Sequence, residues 1–575
     1  MNTDKKIKGV AQLCANLPAP SAMAGILLGW VATLLFMHYP MLLSGMNRTQ
    51  SDIGDSRLNN YFLEHSYRWI TQHPQDSNFW SPQFFYPQLN TMAYSDLMLS
   101  FAPFYWCWRM IGLAPDSAFQ FWMLTGTTLN FAVCLAWLHG CFRCVWPGAI
   151  VGAVFFTVAG PRATQLGHQQ LQWQLYTMLA LISAYRILMP EIPLSGLASL
   201  SKTRSARWWV LLGFCTLSQF WGGFYNGWFL MLELVLAGAI GLLWPAWFRR
   251  LWVVARRDFW AIAAVGLVSG LLLVPAATKY LGTFKDIGGH PYKNIYVWLS
   301  SPSSWVFPGP FSVERALAGH WLKIPEQTLE QGVSIGIVTT VAALTGLWLG
   351  RDRPGTKLVT IVGLLILCIS TVILGEYSLW WIAFKTMPGA AVIRAPSRIG
   401  LTLLIPASIG LAHFINHFWV RQRLILVAIL VAACGLEQAC FLPSYDKAES
   451  RARISLITGA LPPNAKCFFF TGYLPQQREQ FQIDAMWASL QTGVPTINGY
   501  SGSTPRDWGL ADDYIVPGLD DAHVTTNQIQ DALLNWTTRR AIDPSTVIWV
   551  LATGPTHATA HALAPAVGMP TPPGN

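Results

Sequence analysis

The sequence predicts an α-helical polytopic membrane protein, with about eleven to thirteen spanning helices and a small C-terminal α/β domain in water. Three observations carry this prediction. The chain is 53% hydrophobic and only 11% charged over 575 residues, whereas a soluble globular domain is about 25% charged, so most of its surface cannot face water. Apolar runs, many of them about 17 to 25 residues long, recur over the first 443 positions, and that is the length a bilayer demands. After position 443 the pattern changes to short strand-like and helix-like pieces. The 28 tryptophans and 17 tyrosines fit interfacial aromatic belts.

The first apolar run, 22–43, follows a basic start and resembles a signal peptide. It lacks a small-residue cleavage site and is expected to remain as the first helix. Residues 44–93 are too polar to span and too rich in aromatics and amphipathic pieces for an idle linker, and they form a first external loop. Apolar runs follow at 94–112, 119–140, 148–160, 171–189, 208–221, 226–246 and 259–277. A second loop, 278–332, is full of Gly, Pro, Trp and Tyr; runs then resume at 333–350, 357–375, 399–416 and 424–443. In the tail, 466–473 and 545–552 read as strands, and 479–493 and 527–542 as helices. Their alternation predicts an α/β domain over 444–554, followed by a disordered Ala-, Pro-, Thr- and His-rich stretch, 555–575.

The net charge of +10 does not signal nucleic-acid binding, because the basic residues sit in short clusters between apolar runs. These are Lys5/Lys6/Lys8, Lys202/Arg204/Arg207, Arg249/Arg250/Arg256/Arg257, Arg351/Arg353/Lys357 and Arg421/Arg423. Positive-inside topology then places the N-terminus in the cytoplasm. It places the 44–93 loop, Pro161–Gln170, the 278–332 loop, the segment before Arg398 and the C-terminal domain outside. One parity conflict remains: three runs separate the 44–93 loop from residue 161, and one of them, by its length 148–160, is expected to be re-entrant or merged with a neighbour. The ten cysteines are mostly dispersed as small core residues, and the Cys141/Cys144 pair lacks the partners of a zinc site.

Four polar groups fall on the external face under this topology. The first loop carries Asp52, Asp55, Arg57, Asn59, Asn60, Glu64 and His65; Tyr94, Ser95 and Asp96 open the next run. Arg162, His168, Gln169 and Gln170 lie at another helix mouth, and Arg394 and Arg398 are four apart, one turn if the stretch is helical. Polar clusters at one surface of an apolar bundle are a default site. The chemistry they suit is a carboxylate base acting on a hydroxyl, with arginines holding a phosphate leaving group. Each residue has a plainer reading. Asp55 and Asp96 can cap helices, His168 can bond a helix-end carbonyl, and the arginines can anchor to headgroups. Glu233 lies within an apolar run, where a carboxylate is costly. Asn498, Tyr500 and Trp508 in the tail suit an acceptor sugar, or turns and core.

The segments GDSRLNNYFLEHSYRW, FWSPQFFYPQLNTMAYSD, GHQQLQWQ, IRAPSR, DAMWASLQTGVPTINGYSG and PRDW resemble bacterial members of the GT-C superfamily. These are multi-spanning glycosyltransferases that use polyprenyl-phosphate-linked sugars. The resemblance is one of pattern over most of the chain. It implies an inner-membrane glycosyltransferase with a polyprenyl-phosphate-sugar donor and a glycan, lipid or protein acceptor in the envelope. It implies Asp55 as the catalytic carboxylate, Arg394 and Arg398 as lipid-phosphate ligands and His168 as a pocket residue. From the polar clusters themselves, Asp52 and Asp96 are the alternative carboxylates, and Arg57, Asn59, Tyr94 and Gln169 are further candidate substrate contacts. The first loop has no DxD motif, since Asp52 and Asp55 are three apart, so no metal is expected. The competing functions are a flippase for lipid-linked sugars and a non-catalytic envelope assembly protein. The absence of an internal repeat and the clustering of polar groups at one surface favour the enzyme.

Overall fold

The computed structural model describes residues 19–72, 78–189, 202–318, 328–374, 377–471, 478–510, 526–552 and 554–563. The basic start of the chain, the end of the 466–473 strand and residues 564–575 of the tail lie outside them.

The first apolar run forms α1, Pro20–Leu43, broken by non-helical backbone at His38 just before Pro40. A proline inside a helix removes one backbone donor and crowds the preceding turn, which accounts for the kink. Left-handed Gly45 and Met46 then turn the chain into β1, Arg48–Gln50. The first loop is ordered around α2, Asp55–Gln72, whose residues Ser56–Ser66 are all buried. The short α3 is Ala102–Met110.

The apolar helices of the bundle follow. They are α4 Pro115–Gly140, α5 Trp146–Val158, α6 Leu175–Leu188, α7 Lys202–Gly222, α8 Phe224–Leu243, α9 Pro245–Ile287, α10 Ile337–Leu349, α11 Pro354–Ser370, α12 Leu404–Val420 and α13 Leu424–Gln438. With α1 they make eleven among the described residues; between α11 and α12, β2 (Val372–Leu374) pairs antiparallel with β3 (Tyr377–Ser378). Five stretches are at least 18 residues long and apolar enough to cross a bilayer unaided, counting Pro396–Val420 as one.

Two expectations are corrected. The run 94–112 forms only the nine-residue α3, about 14 Å of helix against a hydrocarbon core of about 30 Å, too short to span as a helix; 148–160 forms the continuous thirteen-residue α5. The second loop begins later than 278, since α9 continues to Ile287 as a single helix of 43 residues.

The tail folds as expected and then goes further. Parallel strands β5 (Cys467–Thr471) and β6 (Val547–Ala552) are flanked by α14 (Lys447–Ala460), α15 (Arg478–Thr492) and α16 (Thr526–Arg539). A third strand, β7 (Ala558–Ala562), pairs antiparallel with β6 inside the stretch expected to be disordered. Alternation of small apolar and polar residues suffices for an edge strand once β6 supplies a template.

The expected boundary at 443/444 is not a break in the core. Strand β4 (Ser444–Asp446) pairs antiparallel with β1, and Tyr61, Phe62, Phe84 and Phe101 share one apolar cluster with Phe468, Trp487 and Leu533. The first loop also hydrogen-bonds the tail directly: Phe85 N donates to Asn498 O (2.9 Å), Thr496 N to Gln83 O (2.9 Å) and Trp536 Nε1 to Tyr86 O (2.9 Å). The C-terminal domain thus sits on the first loop and presses it against one end of the bundle.

Candidate functional site

The site forms where the start of α2 meets residues 165–170, the 329–331 turn, the 394–398 segment and the C-terminal domain. Two glycines make the approach possible. A Cβ on Gly167 would lie 2.0 Å from Asp52 Oδ2, and one on Gly54 would crowd Glu479, Asp52 and Tyr500.

Asp52 and Asp55 divide the work expected of one residue. Asp52 Oδ1 accepts the Asp55 backbone N–H (2.8 Å), which satisfies an orphan donor at the start of α2. The capping role considered for Asp55 therefore falls to Asp52, and the Asp55 carboxylate is free of it. Asp55 Oδ1 accepts a hydrogen bond from the Tyr500 hydroxyl (2.7 Å), while Oδ2 is 3.2 Å from His168 Nε2. Desolvation and the neighbouring Asp55 charge push Asp52 up to about 6, although one side of the residue remains open to solvent. Tyr500 is raised far above the ordinary phenol value by burial and by Asp55, so it stays a neutral donor.

His168 joins the acids to the arginine. Its Nε2 lies 2.7 Å from Arg398 Nη2. A guanidinium only donates, so Nε2 accepts and the ring proton sits on Nδ1. Burial, then the Arg398 charge, lower the His168 pKa, in keeping with a neutral ring. Arg398 is itself clamped by Glu330 through Nε–Oε2 (2.9 Å) and Nη2–Oε1 (2.5 Å), a bidentate pair. Its guanidinium lies over the Tyr225 ring, 5.0 Å from the centroid. Glu330 also accepts from Gln165 Nε2 (3.0 Å). Burial would raise Glu330, but Arg398 outweighs it and holds the carboxyl at about 2.

Arg394 behaves differently. It is exposed, and its guanidinium has no protein partner among the described residues. The two arginines do not share a helical turn: Arg394 lies in the link between the short turns Ala390–Val392 and Pro396–Leu401. Its backbone N–H donates to Tyr225 OH (3.0 Å), so Tyr225 serves both arginines.

Asn59 Nδ2 reaches Gly167 O (3.1 Å), Gln169 Oε1 (2.5 Å) and Gln170 Oε1 (3.1 Å). Gln169 Nε2 donates to Leu166 O (2.7 Å) and lies 3.2 Å from Ser51 Oγ. These two residues hold the His168 segment against α2.

Three expected site residues are placed elsewhere. Arg57 is buried and donates to Asp484 Oδ1 (2.5 Å), whose other oxygen accepts from Arg453 (2.8 Å). That pair ties α2 to the C-terminal domain. Tyr94 is buried beside Phe85. Asp96 Oδ1 accepts the Phe224 N–H (2.7 Å), the capping role at the start of α8, and burial raises its pKa.

The site residues that sequence reasoning missed are Glu330 and Tyr225. Tyr500 was noticed, but as a contact for an acceptor sugar rather than as the partner of Asp55. Among the described residues, no three His, Cys, Asp or Glu side chains converge as a metal-binding group.

No protein-family model matches the sequence, and no curated protein matches it. Solved structures do resemble it in fold. An arabinofuranosyltransferase from Mycobacteria aligns with a TM-score of 0.52 and 14% identity over 93% of this chain and 35% of its own. The chain thus spans about a third of that protein's length. An oligosaccharyltransferase from Archaeoglobus fulgidus aligns with a TM-score of 0.53 and 11% identity over 92% of this chain and 67% of its own. At these identities the fold is what is shared.

Proposed function

We propose that this polytopic membrane protein, which has the GT-C fold, transfers a sugar from a polyprenyl-phosphate donor to a glycan, lipid or protein acceptor on the external side of the inner membrane. The observation that carries the reading is the pairing of an accessible carboxylate, Asp55, with an exposed Arg394, whose guanidinium has no partner among the described residues, around the fixed His168–Arg398–Glu330 frame. Asp55 takes the proton of the acceptor hydroxyl as that oxygen attacks the sugar carbon, and the bond to the phosphate breaks. Arg394 binds the departing phosphate. Arg398, neutralised locally by Glu330, orients His168 and keeps positive charge beside the leaving group without being the main ligand.

The topology supports this placement. Eleven helices from a cytoplasmic N-terminus leave Arg143, the Arg249–Arg257 cluster, Arg351, Arg353, Arg421 and Arg423 all on the inner side. The site and the C-terminal domain then share the outer side. Transfer without a resident metal is part of the proposal and rests on the missing DxD spacing in the first loop.

The test is turnover by the purified protein in nanodiscs, offered a panel of radiolabelled polyprenyl-phosphate sugars with an envelope extract. Label transfer that is lost in folded Asp55→Asn supports the reading. A folded wild-type protein that transfers no sugar on the panel counts against it.

A further inference from the structure

Helix α9 ends in two glycines that fold the chain back. Gly288 has φ +81°, in the left-handed region that favours glycine, and its N–H donates to Phe284 O (2.9 Å). A Cβ on Gly289 would lie 2.5 Å from the Phe284 ring. The bend delivers His290 to the short turn Ala390–Val392, where the His290 N–H donates to Ala391 O (3.3 Å). Arg394 comes three residues later. Its backbone is held by Tyr225, whose hydroxyl accepts the N–H of Arg394 (3.0 Å) and that of Ala395 (3.3 Å).

Two distant segments thus bring a histidine and an arginine to one mouth. His290 is half-buried and Arg394 exposed, and among the described residues no acid pairs with either side chain. The other charges nearby are engaged elsewhere or face water. Asp286 acts on Tyr94, Lys385 lies over the Trp381 and Phe384 rings, and Lys285 and Lys293 are exposed. Burial first, and then the Arg394 charge, lower the pKa of the His290 ring. Two basic groups set side by side with no acid repel each other, and an anion between them reverses the sign. A phosphate monoester suits the pair: the guanidinium fork takes two oxygens and an imidazolium N–H a third.

We propose that His290, in its protonated form, is a second ligand of the lipid-linked phosphate that Arg394 binds. The inference rests on the reading of Arg394 given above. It ties His290 to donor binding, while removal of the acceptor proton stays with Asp55. Binding at a pH where the free ring is neutral then takes up one proton.

The test is the affinity of the full-length protein in nanodiscs for a polyprenyl monophosphate, measured at about pH 5.5 and about pH 8, on either side of the ordinary histidine range. Because the phosphate titrates too, each variant is compared with the wild type at the same pH. His290→Gln should bind about tenfold more weakly at the lower pH, the loss of one exposed charge-assisted contact, and equally at the higher. His290→Lys, which keeps its charge throughout, should bind more tightly than the wild type at the higher pH. That gain is one that a merely structural role for His290 does not give. Arg394→Gln should weaken binding at both. Equal affinities of His290→Gln and wild type at the lower pH would overturn the inference, as would an equal loss at both. Binding that needs Arg394 but ignores His290 would sink the inference and leave the function reading standing. Binding that ignores both residues, or no binding by the wild type, would count against the two together.

Discussion

Two carboxylates of α2 stand in contrasting states. At mid-helix, Glu64 is saturated: Arg68 Nε donates to Oε1 (2.9 Å), Arg109 Nε to Oε2 (2.8 Å), and the Tyr105 hydroxyl to Oε2 (2.9 Å). Its side chain is wholly inaccessible. At the N-terminal end, Asp55 has one neutral donor, Tyr500, faces a neutral His168, and keeps its side chain 31% exposed. Both belong to the same polar loop, and both stand within reach of arginine. The difference shows which buried charge holds the fold and which is available for chemistry: a carboxylate enclosed by two guanidiniums has no lone pair left for a substrate proton.

The largest expected effect follows from that contrast. Asp55→Asn should lower label transfer by about 10²- to 10⁴-fold, the usual contribution of a general base, with no loss of thermal stability. Glu64→Ala should do the opposite. Removing one member of a buried ion cluster costs about 3–5 kcal/mol, and the lower end applies here because the Arg68 and Arg109 side chains remain 24% and 18% exposed. Its melting temperature should fall while transfer per folded molecule is kept. A stable Glu64→Ala that is inactive, or an Asp55→Asn that unfolds, would erase the distinction between the two carboxylates.

The sequence made part of this legible. Ten apolar runs became helices within about six residues of their expected bounds, because length and hydropathy are what a bilayer selects, while 259–277 is only the middle of the 43-residue α9. The run 94–112 misled because its aromatics are buried in protein: Phe101 and Tyr105 pack in the core shared with the tail, and composition does not separate a protein interior from lipid. Asp55, His168 and Arg398 were found as members of polar clusters. Arg57 was misassigned for a geometric reason: residues two apart on a helix point to nearly opposite sides, so as Asp55 faces the site, Arg57 faces Asp484. Glu330 carried no signal, being a loop acid 68 positions from Arg398 and 165 from Gln165.

The arginines give the next effect in size. Arg394→Ala should raise the KM for the lipid-linked donor about tenfold, one exposed charge-assisted contact being involved, and change kcat less. Arg394→Lys should recover part of the loss, since the charge returns without the fork. Arg398→Lys should fare worse than Arg394→Lys, because it breaks the bidentate Glu330 pair and the contact to His168 together. Equal losses at both positions would mean that both bind phosphate directly.

Asp52 gives the smallest effect and separates the two acids of the site. Its folded pKa, about 6, lies above the ordinary aspartate value of 3.8. The fold therefore favours its protonated form, and the stability it adds at low pH fades as pH rises through about 6. Asp52→Asn should consequently be no less stable than the wild type at neutral pH, with the difference closing as pH falls below the ordinary carboxylate range. Asp52→Asn should also keep most of the neutral rate of transfer, since the amide oxygen of Asn can still accept the Asp55 N–H and cap α2. A collapse of transfer in Asp52→Asn at every pH would move the base from Asp55 to Asp52. The cap it supplies to α2 would then be part of the catalytic geometry rather than its support.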